Sequence, residues 1–101
     1  MAWDMADGNE ELHVSHNEGA SRFECDVDGK LSVAEYDMAD GAMVFTHTEV
    51  PRELGGRGIA QRIVQHALDH ARSHHLRVVA HCAYVAAYIE RHPEYRDLLA
   101  E

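Results

Sequence analysis

The hydrophobic periodicity of this sequence changes near its midpoint, from alternation typical of strands to spacing typical of helices. Before residue 50 apolar and polar residues alternate, as at Phe23, Cys25 and Val27, which places apolar side chains on one face of a sheet. The pairs Asp28-Gly29 and Asp40-Gly41 separate alternating runs, and such pairs are strong hairpin signals. This half therefore predicts four antiparallel strands joined as a meander, over residues 11–17, 21–27, 30–38 and 42–49.

Apolar residues in the second half recur at helical spacing and predict a helix over residues 58–74. Its buried stripe should run on or near Ala60, Ile63, Ala67 and Ala71. The short apolar run of residues 76–80 then predicts a fifth strand, because it is too short for a helix.

Residues 83–91 predict a second helix, and Pro93 is well placed to begin a last short helix that ends at Leu99. A strand–helix–strand crossover makes strands four and five parallel neighbours. The predicted fold class is therefore α+β, a mixed, mostly antiparallel sheet of about five strands with two to three helices packed on it.

The length and charge of the chain exclude several classes of protein. Its 101 residues suit one domain, and we expect a polar N-terminal leader over residues 1–10 and a single domain over 11–101. Nine basic against eighteen acidic residues give a net charge of −9, which argues against nucleic-acid and anionic-membrane partners. Two cysteines without a CxxC pair predict a cytoplasmic protein without a metal site.

The junction Glu53-Leu54-Gly55-Gly56-Arg57-Gly58-Ile59-Ala60 lies between the fourth strand and the long helix. Glycine allows close approach of the backbone to a ligand, and exposed amides at a helix start bind anions, of which phosphate is the natural candidate. The spacing is not that of a Walker loop, and the preceding antiparallel strands do not suit a Rossmann fingerprint. A plain flexible turn is the alternative.

This strand, glycine loop and helix resemble the pyrophosphate loop of the GNAT superfamily of N-acetyltransferases. The segments His47-Thr48-Glu49-Val50-Pro51, Cys82-Ala83-Tyr84-Val85 and His92-Pro93-Glu94-Tyr95 flank it. Over residues 10–99 the chain is similar to a small, single-domain GNAT-like family that lacks the early helices after the first strand. It departs from the superfamily pattern at Gly55, where Gln or Arg is usual.

The resemblance implies acetyl-CoA as co-substrate. It implies that the backbone of Thr48 to Val50 runs beside the pantetheine arm, and that Arg57 adds charge near the phosphates. Functional residues of this family are proposed at positions corresponding to Cys82, His47 and Glu49. The implied pyrophosphate-binding amides are those of Gly55, Gly56, Arg57, Gly58, Ile59 and Ala60.

Chemical roles follow for the candidate catalytic residues Cys82, His47, Glu49 and Tyr84. Acyl transfer needs a neutral amine, so a general base helps, and His47 and Glu49 share one strand face. Tyr84, like Tyr88, could protonate the departing CoA thiolate, although packing is the simpler role. Cys82 could accept the acyl group only as a thiolate, or could be a small core residue.

The other chemistry-bearing side chains are expected to be structural. Cys25 should lie in the core, and the segment 92–95 should form a structural corner. The remaining histidines, including His74 and His75, should lie at the surface.

The function expected from this resemblance is acetyl-CoA-dependent transfer of an acetyl group to an amine by direct attack in a ternary complex. The acceptor is unknown, and the acidic surface favours a cationic amine such as a lysine side chain. Three alternatives stay open, a non-catalytic CoA or acyl-CoA-binding module, ping-pong transfer through Cys82, and an interaction domain whose glycine loop is only a turn. Monomer and homodimer are both compatible with the sequence.

Overall fold

The computed structural model describes residues 12–100, so the predicted leader at residues 1–10 lies outside the described part. Its two α-helices are α1 (Ile59–Ser73) and α2 (Ala83–Arg91). Its five strands are β1 (Val14–Asn17), β2 (Arg22–Val27), β3 (Lys30–Ala39), β4 (Ala42–Glu49) and β5 (Arg77–Ala80). Short 3₁₀ helices cover Glu18–Ala20, Arg52–Leu54 and Pro93–Leu98, so the last predicted helix is of the 3₁₀ type.

The sheet confirms the predicted fold class and topology. Its strands lie in the order β1-β2-β3-β4-β5, antiparallel throughout except for the parallel pair β4 and β5. The first strand begins at Val14, three residues later than predicted. Asp28-Gly29 and Asp40-Gly41 make the tight turns, with φ of 55° and 77° in one and 53° and 78° in the other. Positive φ at both central residues is the geometry that hairpin turns favour.

One face of the sheet and both helices build a single hydrophobic core. Helix α1 has an apolar stripe at helical spacing and buries Ile59, Ile63, Val64, Ala67, Leu68 and Ala71. Phe23 and Cys25 of β2 are fully buried against it, which confirms the core prediction for Cys25. Helix α2 adds Val85, Tyr88 and Ile89 to the same cluster. Only a 3₁₀ turn separates β1 from β2, as expected for the form that lacks early helices.

A β-bulge in β4 sets which side chains face the core at the end of that strand. Glu35 pairs with His47 and Tyr36 with Phe45, so Thr46 is the extra residue. A bulge changes the alternation of side chains. Phe45 is buried, and Thr48 pairs with the buried Ala34, whereas His47 and Glu49 project from the opposite, helix-free face.

Two histidines, His16 and His70, pack between β1 and α1 and are half-buried, so the prediction of a surface position holds for them only in part. The His16 ring stacks on Phe23 at 4.1 Å between centroids and meets His70 edge-on at 4.5 Å. His16 Nε2 also lies 2.6 Å from the Tyr36 hydroxyl. Sequence patterning missed this cluster because a histidine with an aromatic neighbour can replace an aliphatic residue at a core edge.

The C-terminal segment is fixed to α1 and β5, which agrees with a structural role for residues 92–95. The Tyr95 hydroxyl donates to Asp69 Oδ1 at 2.7 Å. The Arg72 guanidinium binds both carboxylate oxygens of Asp97, at 2.9 and 3.0 Å. Leu99 forms an isolated parallel bridge with Val78. Within residues 12–100, the helices are all too short or too polar to cross a membrane.

Candidate functional site

Strands β4 and β5 separate after Phe45. Their parallel pairing ends at Phe45 and Ala80, and the Phe45 carbonyl accepts hydrogen bonds from the amides of His81 at 3.0 Å and Cys82 at 2.9 Å. Among the described residues, no backbone hydrogen bond joins the chain at 46–50 to the chain beyond Cys82. The end of β4 therefore presents backbone groups toward the gap between the two strands.

A groove of about 510 Å³ continues from this gap and is large enough for part of an extended ligand. Leu54 and Ile59 are buried beneath it, and Tyr84 stands at its edge with an exposed fraction of 37%. The groove is lined by Val50, Leu54, Gly55, Gly56, Gly58, Ile59, Ala60, Gln61 and Tyr84. The groove thus combines an apolar wall with a glycine-rich backbone.

The glycine loop gives α1 an open N-terminal end. Gly56 and Gly58 have φ of 82° and 75°, a left-handed conformation that glycine adopts without steric cost. Gly58 is the N-cap and offers no side-chain cap, and its carbonyl accepts from the Arg62 amide as the helix begins. The amides of the first turn point out of the helix end, where the macrodipole favours an anion.

Arg57 lies beside this loop, but its side chain points away from the groove. Its Nη1 atom is 3.8 Å from Asp28 Oδ2, and both side chains are largely exposed. Lys30 Nζ lies 3.7 Å from Glu53 Oε2. The β2–β3 turn reaches the loop because β3 starts beside the end of β4. Sequence analysis missed Asp28 in this position, although the meander topology alone would bring the two loops together.

Cys82 and Thr48 face each other across the gap between the strands. Cys82 Sγ lies 3.4 Å from Thr48 Oγ1, and Cys82 is only 9% exposed. Tyr84 follows in the first turn of α2, and burial raises the pKa of its phenol. It is therefore protonated at neutral pH and able to donate a proton. Tyr88 is buried and stacks on His92 at 4.0 Å, which fits the packing role.

His47 and Glu49 form a second pair on the opposite face of β4. His47 Nε2 lies 3.2 Å from Glu49 Oε1, and both side chains are more than half exposed. Thr48 lies between them in sequence, so the predicted catalytic residues occupy two sides of one strand end. The structure brings together His47 with Glu49, and Cys82 with Thr48, while Tyr84 lies on the groove.

Across residues 12–100, the histidine, cysteine and carboxylate side chains nowhere form a group of three or more that could hold an ion. The groove instead offers backbone amides, a phenol and apolar surface, which suit an organic ligand with an anionic group.

Comparison with known proteins agrees with this architecture. The chain is similar to protein NATD1 of Xenopus tropicalis, with 28% identity over 93 residues that make up 89% of this chain and 85% of that protein. For protein NATD1 of Homo sapiens the identity is 29% over 85 residues, which cover 81% of this chain and 75% of that one.

Among solved structures, the chain resembles the solution structure of a GCN5-like candidate N-acetyltransferase from Staphylococcus aureus. The TM-score is 0.70 at 26% identity, covering 93% of this chain and 91% of the other. The family described as GCN5-related N-acetyl-transferase matches residues 22–98, which include the whole groove and the glycine loop. This chain therefore belongs to the GCN5-related N-acetyltransferase family.

Proposed function

We propose that this protein is an acetyl-CoA-dependent N-acetyltransferase that transfers the acetyl group directly to an amine. One observation carries the proposal. The separation of β4 from β5 at Phe45 opens a gap that leads into the groove at the glycine-rich start of α1. A single extended ligand could thus meet unpaired strand backbone at one end and helix-start amides at the other.

The glycine loop suits the pyrophosphate of CoA. The proposed binding groups are the backbone amides of residues 55–60, which need no particular side chain at Gly55. The departure from the usual Gln or Arg there leaves these amides in place. The left-handed Gly56 and Gly58 allow the backbone to approach the phosphates closely, and the helix end favours their negative charge.

The pantetheine arm would then follow the end of β4. Thr48 and Val50 belong to the stretch whose backbone is not bonded to the chain beyond Cys82. Extended amides of that kind can bind the two amide groups of pantetheine as an additional strand would. Val50 and Leu54 supply apolar contact on the groove wall. The thioester would come to lie near Cys82.

Direct transfer requires one bond to form and one to break. The neutral amine nitrogen attacks the acetyl carbonyl carbon, the carbon–sulfur bond breaks, and the electron pair leaves with the CoA thiolate. In this proposal a backbone amide near the end of β4 stabilises the negative oxygen that develops during attack. Glu49 or His47 takes a proton from the amine, directly or through water, and Tyr84 returns one to the thiolate.

Direct attack is favoured over a cysteine intermediate by the surroundings of Cys82. Its sulfur contacts the Thr48 hydroxyl, and a hydroxyl is no base for activating a thiol. We therefore assign Cys82 to the wall of the acyl site.

The acceptor would approach from the helix-free face, where the His47–Glu49 pair is exposed. Glu35 lies directly opposite His47 on the neighbouring strand. Together with the net charge of −9, these carboxylates favour a cationic amine such as a lysine side chain.

The test is an acetylation assay with acetyl-CoA and a panel of amines that includes lysine-containing peptides. We expect release of CoA thiol together with acetylated amine, and undiminished transfer by Cys82→Ala. Rapid-quench mass spectrometry should show no acetyl group on Cys82. Binding of CoA without transfer to any amine would instead support the non-catalytic CoA-binding module. Acetylated Cys82 and an inactive Cys82→Ala would support the ping-pong route.

A further inference from the structure

Arg57 stands next to the proposed pyrophosphate site without pointing into it. Its neighbours Gly56 and Gly58 both line the groove, but the Arg57 side chain does not. Its guanidinium is drawn instead toward Asp28, at 3.8 Å. The ion pair thus crosses from the loop before α1 to the turn between β2 and β3.

The ion pair between Arg57 and Asp28 is weak enough for a phosphate to replace the Asp28 carboxylate. Half of the Arg57 side chain and about three quarters of the Asp28 side chain are exposed, so water and salt screen their attraction and its net stabilisation is small. A pyrophosphate carries more negative charge than one carboxylate and can accept two N–H groups of an arginine at once, whereas Arg57 reaches Asp28 through Nη1 at 3.8 Å. A bound pyrophosphate would therefore be a stronger partner for Arg57 than Asp28.

We propose that Asp28 sets the affinity of the glycine loop for anions by competing with the pyrophosphate of CoA for the Arg57 side chain. Asp28 holds Arg57 beside the groove, and on CoA binding the guanidinium exchanges the carboxylate for phosphate oxygens. The carboxylate of Asp28 then weakens binding of every anionic ligand at the loop. This inference rests on the proposed CoA site.

The chain provides a matched control in the turn at the other end of β3. Asp40 precedes Gly41 in the β3–β4 turn with nearly the same backbone as Asp28 before Gly29, with φ of 53° and 55°. Asparagine tolerates this left-handed conformation, so Asp28→Asn and Asp40→Asn each remove one negative charge without disturbing the turn. Of these two aspartates, Asp28 is the one that pairs with Arg57.

The experiment is calorimetric titration of CoA at low salt into the wild-type protein, Asp28→Asn, Arg57→Ala, the double variant and Asp40→Asn. We expect Asp28→Asn to tighten CoA binding about two- to fivefold, the range open to an exposed ion pair, and Arg57→Ala to weaken it. Adding Asp28→Asn to Arg57→Ala should change affinity little, because the competing partner is gone. Asp40→Asn should bind like the wild type.

Two results would overturn the inference while leaving the CoA site intact. One is unchanged affinity in Asp28→Asn. The other is equal tightening by Asp28→Asn with and without Arg57, which would mean that only long-range charge acts. Failure of every protein to bind CoA would overturn both this inference and the proposed function. The salt dependence gives a second readout, because the gain from Asp28→Asn should shrink as ionic strength rises.

Discussion

The Cys82 amide donates a hydrogen bond of 2.9 Å to the Phe45 carbonyl, and this contact joins the start of α2 to the point where β4 leaves β5. The same carbonyl already accepts from His81 at 3.0 Å. The hydrogen-bond ladder between β4 and β5 ends at this carbonyl. The backbone groups of the next residues of β4 are therefore available to a ligand. The proposed acetyl site depends on this junction.

Gly58→Glu should abolish measurable CoA binding. The substitution puts a side chain at φ 75° and a negative charge at the proposed phosphate site. Gly41→Glu is the matched control, because it adds the same charge at φ 78° in a turn away from the groove. Each should cost about 1 kcal/mol of folding stability from the left-handed conformation. Titration with CoA should separate the two variants, and equal affinity in both would show that the loop is not the phosphate site.

Glu49→Gln should reduce kcat about 100-fold at neutral pH if this carboxylate is the base, since that is a typical contribution of general base catalysis. CoA affinity should be unchanged, because the Glu49 side chain faces away from the groove. Asp37→Asn removes a charge from the neighbouring strand β3 on the same face of the sheet, where Asp37 pairs with Val44, and should leave kcat unaltered. If Glu49→Gln kept the wild-type kcat and His47→Gln lowered it, His47 would be the general base.

The protein should lose stability as pH falls below about 6.5. Burial lowers the pKa of both His16 and His70, their mutual repulsion and that of His66 and His74 adds to the effect, and Glu18 partly opposes it. The folded chain therefore binds fewer protons than the unfolded chain between the lowered pKa values and 6.5. Stability is greatest above 6.5 and declines as pH drops through this window.

Urea unfolding at pH 7.5 and 5.5 measures this effect. Replacing both His16 and His70 by Gln should reduce the difference between the free energies of unfolding at pH 7.5 and pH 5.5. The exposed His81→Gln is the control and should leave it unchanged. A pH dependence that survives intact in the double variant would assign the effect to other groups.

Tyr95→Phe should lower the free energy of unfolding by about 1 kcal/mol. The variant keeps the buried ring but removes the hydroxyl that donates to Asp69 at 2.7 Å. Burial and this hydrogen bond also raise the pKa of Tyr95, so the phenol stays protonated throughout the accessible range. Thermal unfolding of Tyr95→Phe beside Tyr84→Phe, whose ring is at the groove edge, should show the larger loss for Tyr95.

Much of this fold could be predicted because local signals agree with the tertiary structure. The Asp28-Gly29 and Asp40-Gly41 turns fix two hairpins. Three residues of the predicted α1 stripe, Ile63, Ala67 and Ala71, are buried in the core, whereas Ala60 lines the groove. The bulge at Thr46 could not be predicted, because pairing to β3 and not local sequence decides it. The partial burial of His16 and His70 was missed for a similar reason, since it depends on aromatic contacts across two elements.

The candidate site was predictable in part. The glycine loop follows from its sequence between a strand and a helix, and Gly55, Gly56 and Gly58 line the groove. Sequence spacing placed His47 and Glu49 together, and their side chains meet at 3.2 Å. The division of the proposed catalytic residues between two sides of β4, and the contact of Arg57 with Asp28, arise only when the loops and strands are assembled.

The most direct test of the CoA site is isothermal titration of the wild-type protein with CoA, beside dephospho-CoA and pantetheine. The proposed site predicts micromolar binding of CoA, retained in large part by dephospho-CoA and greatly weakened for pantetheine, which lacks the pyrophosphate. Equal affinity for CoA and pantetheine, or no binding of any of the three, would contradict it.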